Sequence, residues 1–255
     1  MLVNVLASGS KGNASLIRTK SCNILVDAGM TTKYLTSKLN ELGLDLNDIN
    51  YILLTHTHSD HVNALKTMVK KAKPQLVLTE KMYYELDFLE NYTNIIGLED
   101  DIELDNVLIE SIVTSHDTSD SRGYIITEGE SSVVIITDTG YINQKHFAKI
   151  KNKSFYIFES NHDVEMLMHG RYPKWLKKRV YSDVGHLSNE SASFYLSKII
   201  GPNTKMIVLA HLSEENNTPE IALENIKSYF AEHNIKFDNI VAAKQNEQTE
   251  LKIND

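Results

Sequence analysis

A single cysteine, Cys22, in 255 residues leaves no internal disulfide possible and fits a reducing compartment. Its place in an apolar stretch reads as a small buried strand residue rather than a reactive thiol. The four prolines are scattered, and no Gly/Ser-rich or Pro-rich tract divides the chain, so residues 1–255 read as a single domain. A chain of this length buries a sizeable core without help from staples. No apolar run approaches the ~20 residues that span a bilayer, so no membrane segment is expected. Residues Met1–Ala7 lack a basic start and a long apolar core, and read as a first strand rather than a secretory leader. The expected location is the cytoplasm. Positive charge is also in short supply, with 26 Lys and Arg against 34 Asp and Glu and a net charge of −8. That excludes a surface that coats nucleic acid generally, but not a local basic track.

What the chain does carry is concentrated at Thr55-His-Thr-His-Ser-Asp-His61, where His56, His58, Asp60 and His61 are all metal-ligand types. The apolar run Tyr51–Leu54 before it reads as a buried strand. After it, Ala64, Leu65, Met68, Val69 and Ala72 fall on one face of a helix. Alternation at a strand end lets His56 and His58 point at one ion. Asp60 and His61, at the helix entry, suit a second. Imidazole and carboxylate are ligands for zinc, and also for manganese or iron.

Organisation points to duplication. Residues 16–29 read as strand, turn, strand and Asp-x-Gly, and residues 124–140 repeat that grammar through the turn Glu128–Ser132 to Asp138-Thr-Gly140. Two equivalent halves follow, each a β-rich layer with helices outside. Helical patterns are expected near 32–43, 60–73, 80–90, 143–151, 188–200 and 218–233.

The tract resembles the H-x-H-x-D-H motif of the metallo-β-lactamase-fold hydrolases, and further residues match that family in order. Asp27 ends the run Asn23–Val26, His116 follows Val107–Thr114, Asp138 follows Val133–Thr137, and His211 follows Met206–Ala210. The softer motifs Ser8-Gly-Ser-Lys-Gly-Asn13, Ser160-Asn-His-Asp163, Gly185-His-Leu-Ser-Asn189 and His211-Leu-Ser-Glu-Glu-Asn-Asn217 resemble the bacterial WalJ (YycJ) branch, regarded as 5′-to-3′ exonucleases on double-stranded DNA. The resemblance implies a four-layer αββα sandwich of α/β class, with two pseudo-equivalent halves and the metals between the sheet edges. It further implies His56, His58 and His116 around a first ion, Asp60, His61 and His211 around a second, and Asp138 bridging them. Asp27 is then a buried carboxylate steadying the His56–His61 loop. Two divalent ions, Zn2+ or Mn2+ with Fe possible, share a hydroxide that attacks phosphorus and stabilise the attacking and leaving oxygens. His58 stands where oxygen-reducing diiron relatives usually carry glutamate, which favours hydrolysis.

Other residues are candidates by type and position. Gly9-Ser-Lys-Gly12 lacks a following helical pattern, so it reads as a hairpin turn rather than a nucleotide loop, presenting Ser8, Ser10 or Asn13 to the site. His186 precedes Ser188, a plausible helix N-cap, and lies in a polar loop from which it can reach substrate. It is expected to protonate or clamp a leaving oxygen, with Asp60 and His162 as further catalytic candidates. Lys174, Lys177, Lys178 and Arg179, with Trp175, form a basic track; Lys66, Lys70, Lys71 and Lys73 form another. Both suit contacts to phosphates, although Trp175 equally fits a core position. The expected activity is dinuclear-metal-dependent hydrolysis of DNA, as a 5′-to-3′ exonuclease on double-stranded ends. Alternatives are an RNA or cyclic small-molecule phosphodiesterase of the same fold, and a non-catalytic metal-sensing or DNA-end-binding module.

Overall fold

The central strands are apolar at nearly every position, which a strand tolerates only when both its faces are covered. The computed structural model describes residues 1–99 and 101–251. Its first half supplies β1 (Leu2–Ala7), β2 (Ala14–Arg18), β3 (Asn23–Val26), β4 (Tyr51–Leu53), β5 (Gln75–Leu78) and β6 (Ile95–Gly97). The second half supplies β7 (Ile102–Leu104), β8 (Val107–Val113), β9 (Arg122–Glu128), β10 (Ser131–Ile136), β11 (Phe155–Glu159), β12 (Met206–Ala210) and β13 (Ile240–Ala242). A last strand, β14 (Thr249–Leu251), returns to pair with β1. Among the described residues these form two seven-stranded sheets, ordered β14-β1-β2-β3-β4-β5-β6 and β13-β12-β11-β10-β9-β8-β7.

The halves follow one plan. The pair β2-β3 is antiparallel and leads into parallel β3-β4-β5-β6, just as antiparallel β9-β10 leads into parallel β10-β11-β12-β13. The helices are α1 (Thr32–Glu41), α2 (Ser59–Val62), α3 (Leu65–Lys71), α4 (Glu80–Glu85), α5 (Phe147–Ile150), α6 (Val164–His169), α7 (Lys174–Val180), α8 (Asn189–Ile199) and α9 (Pro219–Glu232).

Strand parity builds the layers. Ile24, Val26 and Leu53 pack between the sheets against Val133, Ile135 and Val208. Their neighbours Leu25 and Ile52 face outward onto Leu35 and Leu39 of α1 and Met68 of α3. In the second half Val134, Ile136, Ile207 and Leu209 meet Leu196 of α8 and Ile226 and Phe230 of α9. Each such side chain contributes about 1.5–3 kcal/mol on burial. A one-residue slip would exchange the two faces of a strand, so register is strongly held. The result is an αββα sandwich with its functional edge at the carboxyl ends of β3, β4, β10, β11 and β12.

Periodicity overstated some helices. The stretch 60–73 divides into α2 and α3 because the Ala64 amide donates to Ala28 O, 2.8 Å away, instead of continuing the helix. The stretch 80–90 ends as a helix at Glu85, with a 3-10 turn at Asp87–Leu89, and 143–151 opens with a 3-10 turn at Gln144–His146. The short helices α6 and α7 lie outside the expected stretches. At six and seven residues they span too few turns for an apolar period to register.

The tract at 55–61 is locked to two other segments by backbone bonds. Asn13 N donates to Asp60 O and Ala28 N to His61 O, each at 2.8 Å, and Gly29 N donates to Asn13 O at 2.9 Å. Gly29 allows this approach, because a Cβ there would lie 1.6 Å from Asp60 O and 2.7 Å from Asn13 N. Both obstacles are backbone. Gly29→Ala should therefore destabilise the protein by at least ~1–3 kcal/mol. Urea denaturation measures this, and an unchanged midpoint would show that the close approach is dispensable.

Candidate metal centre

Three of the site's residues, Asp27, Asp138 and His211, adopt φ of 61°, 55° and 55° just beyond β3, β10 and β12. A non-glycine residue there costs on the order of 1–3 kcal/mol. The strain turns each side chain sharply off the strand line and toward the gap between the sheets.

Asp27 is buried and spends its carboxylate on the metal-type tract. Its Oδ1 accepts from Thr55 N and its Oδ2 from Thr55 Oγ1, each at 2.8 Å, and Oδ2 lies 2.8 Å from His61 Nδ1. That leaves His61 Nε2 as the atom directed inward, 3.2 Å from Asp138 Oδ2 and 3.5 Å from Asp60 Oδ2. His116 repeats the device, with Nδ1 3.2 Å from Gly185 O and Nε2 3.2 Å from His58 Nδ1. His211 Nδ1 lies 2.9 Å from Glu159 Oε1, and its Nε2 faces Asp138 Oδ1 at 3.5 Å and Asp60 Oδ2 at 3.7 Å. An imidazole held at one nitrogen by a carboxylate or carbonyl offers its other nitrogen, in a set tautomer, to a metal.

The donor set fits a pair of divalent ions. One atom each from His56, His58 and His116 lies within 4.8 Å of the others, and so does one each from Asp60, His61 and His211. Asp138 sits between the groups, with Oδ1 also 3.8 Å from His116 Nε2. His56 Nε2, His211 Nε2 and Asp138 Oδ2 are buried without hydrogen-bond partners. Each such orphan costs about 1–3 kcal/mol, and a pair of coordinated cations, one in each group, would remove all three costs. Asp138, Glu159, His186 and His211 also cluster closely enough for metal. Glu159, however, is already spent. Its Oε1 faces His186 Nδ1 at 2.8 Å as well as His211, and its Oε2 accepts from Thr139 N at 2.9 Å and Leu187 N at 3.2 Å. Glu159 aims ligand-type residues rather than joining them.

Electrostatics follow from this crowding. Burial, with the charge of His61, pushes the His56 imidazole well below its ordinary range. Burial also opposes charge on His61 and His211. Asp138 and Asp27 nevertheless raise His61 well above normal, and Asp138, Asp60 and Glu159 raise His211 to about 10. Asp138 is buried and Asp60 half-buried, yet these histidines hold both carboxylates well below the usual range. Glu159 is held at about 2 against its burial by the charge and hydrogen bond of His186. The protons favoured on His61 and His211 compete for the positions that a cation would take.

The cavity above these residues has a volume of about 220 Å3. His58, Asp60, His116, Asp138, His186 and His211 line it, together with Ser10 and Arg179. Ser8 stays beneath, its Oγ accepting from His211 N at 2.7 Å. Asn13 reaches the centre, with Nδ2 3.0 Å from His61 Nε2. Lys177 is turned away, donating to Met168 O at 2.6 Å, and exposed Lys178 does not line the cavity. Lys66, Lys70, Lys71 and Lys73 are exposed at α3, also off the cavity wall. His162 is not brought to the reacting space. It is fully buried with both ring nitrogens unpartnered, and burial lowers it to about 4. Its backbone bridges Ser188, which directs the ring toward Tyr181 at a centroid distance of 6.2 Å. His162, a catalytic candidate by sequence, thus occupies a buried, neutral position off the cavity wall. Trp175, 69% exposed, is not core.

Sequence reasoning passed over Glu159 and Tyr172 and carried Asn161 and Ser213 only within longer motifs, yet all four belong to this region. Glu159 had a usable signal. It ends the apolar run Phe155–Phe158 just as Asp27 and Asp138 follow theirs.

Comparison with known proteins agrees with this architecture. The model of the metallo-beta-lactamase superfamily matches residues 7–211. Over 234 residues the chain is 36% identical to exodeoxyribonuclease YycJ of Bacillus anthracis, spanning 90% of this chain and 89% of that protein. It is 36% identical over 226 residues to exodeoxyribonuclease WalJ of Streptococcus pneumoniae, spanning 86% and 84%. The metallo-beta-lactamase fold protein YhfI from Bacillus subtilis superposes with a TM-score of 0.71 at 18% identity, over 98% of this chain and 99% of that one, a likeness of fold alone.

Three outcomes are expected from the donor geometry. Purified protein should bind up to two divalent ions, and replacing His56 and His58 together with Ala should remove one by elemental analysis. Uptake should release protons from His61 and His211 and tighten as pH rises, because raised imidazole pKa values favour the competing proton below them. Calorimetry in buffers of different ionisation enthalpy reads that release. Glu159→Gln should weaken metal affinity by roughly 10–100-fold in a chelator competition; unaltered affinity would remove Glu159 from this role.

Proposed function

Since this chain belongs to the metallo-β-lactamase superfamily, we propose that it is a metal-dependent hydrolase degrading DNA exonucleolytically, from 5′ to 3′ on double-stranded ends. The convergence of a dinuclear ligand set and a carboxylate-held histidine on one cavity carries the hydrolytic reading. The likeness to two exodeoxyribonucleases over nearly the whole chain supports DNA as the polymer. His56, His58 and His116 hold one ion, Asp60, His61 and His211 the other, and Asp138 lies between. Zinc or manganese suits these nitrogen and oxygen donors, with iron as a further fit. When bound, the ions supply Lewis acidity and a water activated near neutral pH.

The chain's own residues do the rest. His186 lines the cavity with Nδ1 engaged by Glu159, so Nε2 is left for a substrate oxygen. As the bond from phosphorus to the leaving 3′-oxygen breaks, His186 donates its proton to that oxygen, which is otherwise a poor leaving group. Arg179 on the cavity wall opposes the phosphate's negative charge. Glu159 remains ionised and fixes the His186 ring. Residues 1–255 act as one domain, and the lone buried cysteine suits work in the cytoplasm.

End-labelled linear duplex DNA, digested with zinc, manganese or magnesium, tests this directly. Release of nucleotides beginning at the 5′ label is expected, and an intact duplex under all three metals would refute it. His186→Ala should lower turnover by about 10²–10⁴-fold with both ions retained, and far less on a phosphodiester with a good leaving group. Loss of an ion in that variant would instead make His186 a ligand.

A further inference from the structure

The chain has one tryptophan, and α7 presents it to solvent beside the cavity. A helix advances 100° per residue, which puts Leu176, Arg179 and Val180 on one face. All three line the cavity. Trp175 precedes Arg179 by four residues and Lys178 by three, so the indole shares one stripe with the guanidinium and has the ammonium on its other side, each about 5–6 Å away at Cβ. The stripe is fastened at the reactive centre. Arg179 Nε and Nη2 donate to Asp117 Oδ2 and Oδ1 at 2.5 and 3.0 Å, and Asp117 directly follows His116. Arg171 and Lys174 add exposed positive charge at the same end of α7.

The cavity, at about 220 Å3, falls below the roughly 300–1,000 Å3 of typical small-molecule pockets. It suits a phosphate and its sugar and leaves the attached base outside. Tyr172 and Leu176 belong to the cavity wall itself, and outside it, one helical turn before Arg179, the 69% exposed indole of Trp175 offers a large apolar surface to a base leaving the cavity. We propose that Trp175 is the stacking platform for the terminal nucleobase of the strand being degraded, with Lys178 and Arg179 on the flanking phosphates. This rests on the nuclease reading and deepens it: the ligand is the unpaired or fraying base at a DNA end. Every base has a π-face, so the contact tolerates any sequence, as degradation through arbitrary DNA requires.

Trp175→Ala and Trp175→Phe are compared with the wild type, all metal-loaded. The probes are linear duplex DNA and bis(p-nitrophenyl) phosphate. The Ala variant should raise KM for duplex about 5- to 150-fold, the Phe variant should recover most of that loss, and hydrolysis of the small ester should be unchanged. Because Trp175 is the only indole, wild-type emission should also be quenched on titration with a duplex whose ends carry uncleavable phosphorothioate linkages. A wild-type KM for Trp175→Ala with unquenched emission overturns the inference. Equal loss on both substrates overturns it too, assigning the indole to support of the cavity wall. Wild-type protein that leaves duplex DNA intact refutes the nuclease reading itself, and this inference with it.

Discussion

The site depends on buried carboxylates that hold imidazole rings by one nitrogen. Asp27 holds His61, and Glu159 holds both His211 and His186. A buried charge survives only when it is fully paired, and both carboxylates meet that condition with backbone amides as well as rings. Their reward is orientation. Nitrogens that would otherwise rotate or exchange tautomers are committed, and the remaining nitrogens meet around the gap between the sheets.

The two halves of the sandwich use equivalent places for different work. An aspartate follows β3 in the first half and β10 in the second, each in the left-handed region. Asp27 turns into the protein and ties down the loop after β4, whereas Asp138 turns into the cavity between two groups of ligand-type residues. The orienting task in the second half passes one strand over, to Glu159 at the end of β11. Duplication thus supplied a frame in which an acid sits beyond a parallel strand, and packing decided which way each acid faces.

An acidic protein with a phosphate-bearing substrate needs its positive charge in particular places. Of the two basic tracks, the one in α7 reaches the cavity wall through Arg179, while the lysines of α3 remain on the outer layer. The ion pair of Arg179 with Asp117 joins α7 to the residue beside His116, so the substrate-facing helix and the metal-type cluster are mechanically continuous.

The continuous apolar runs of β3, β10 and β12 were legible in the chain, as was the repeated strand-turn-strand-Asp grammar. Together they determined two-faced sheets in two equivalent halves, because side-chain period and burial are local properties of a strand. The crowding of His56, His58, Asp60 and His61 into one turn was equally visible, since those residues meet through short-range geometry. The helix break at Ala64 was not legible, because a hydrogen bond to Ala28 in a distant segment sets it. Nor was the separation of His186 from His162, which share the same kind of polar loop yet end on the cavity wall and in the interior. Glu159 acquired its importance only when β11 was laid between β10 and β12, bringing residues 186 and 211 to one carboxylate oxygen. Sequence determined which residues have metal chemistry and which strands are apolar enough to be covered on both faces. Tertiary structure alone decided their partners, because those hydrogen bonds join residues dozens of positions apart that only the paired strands bring into contact.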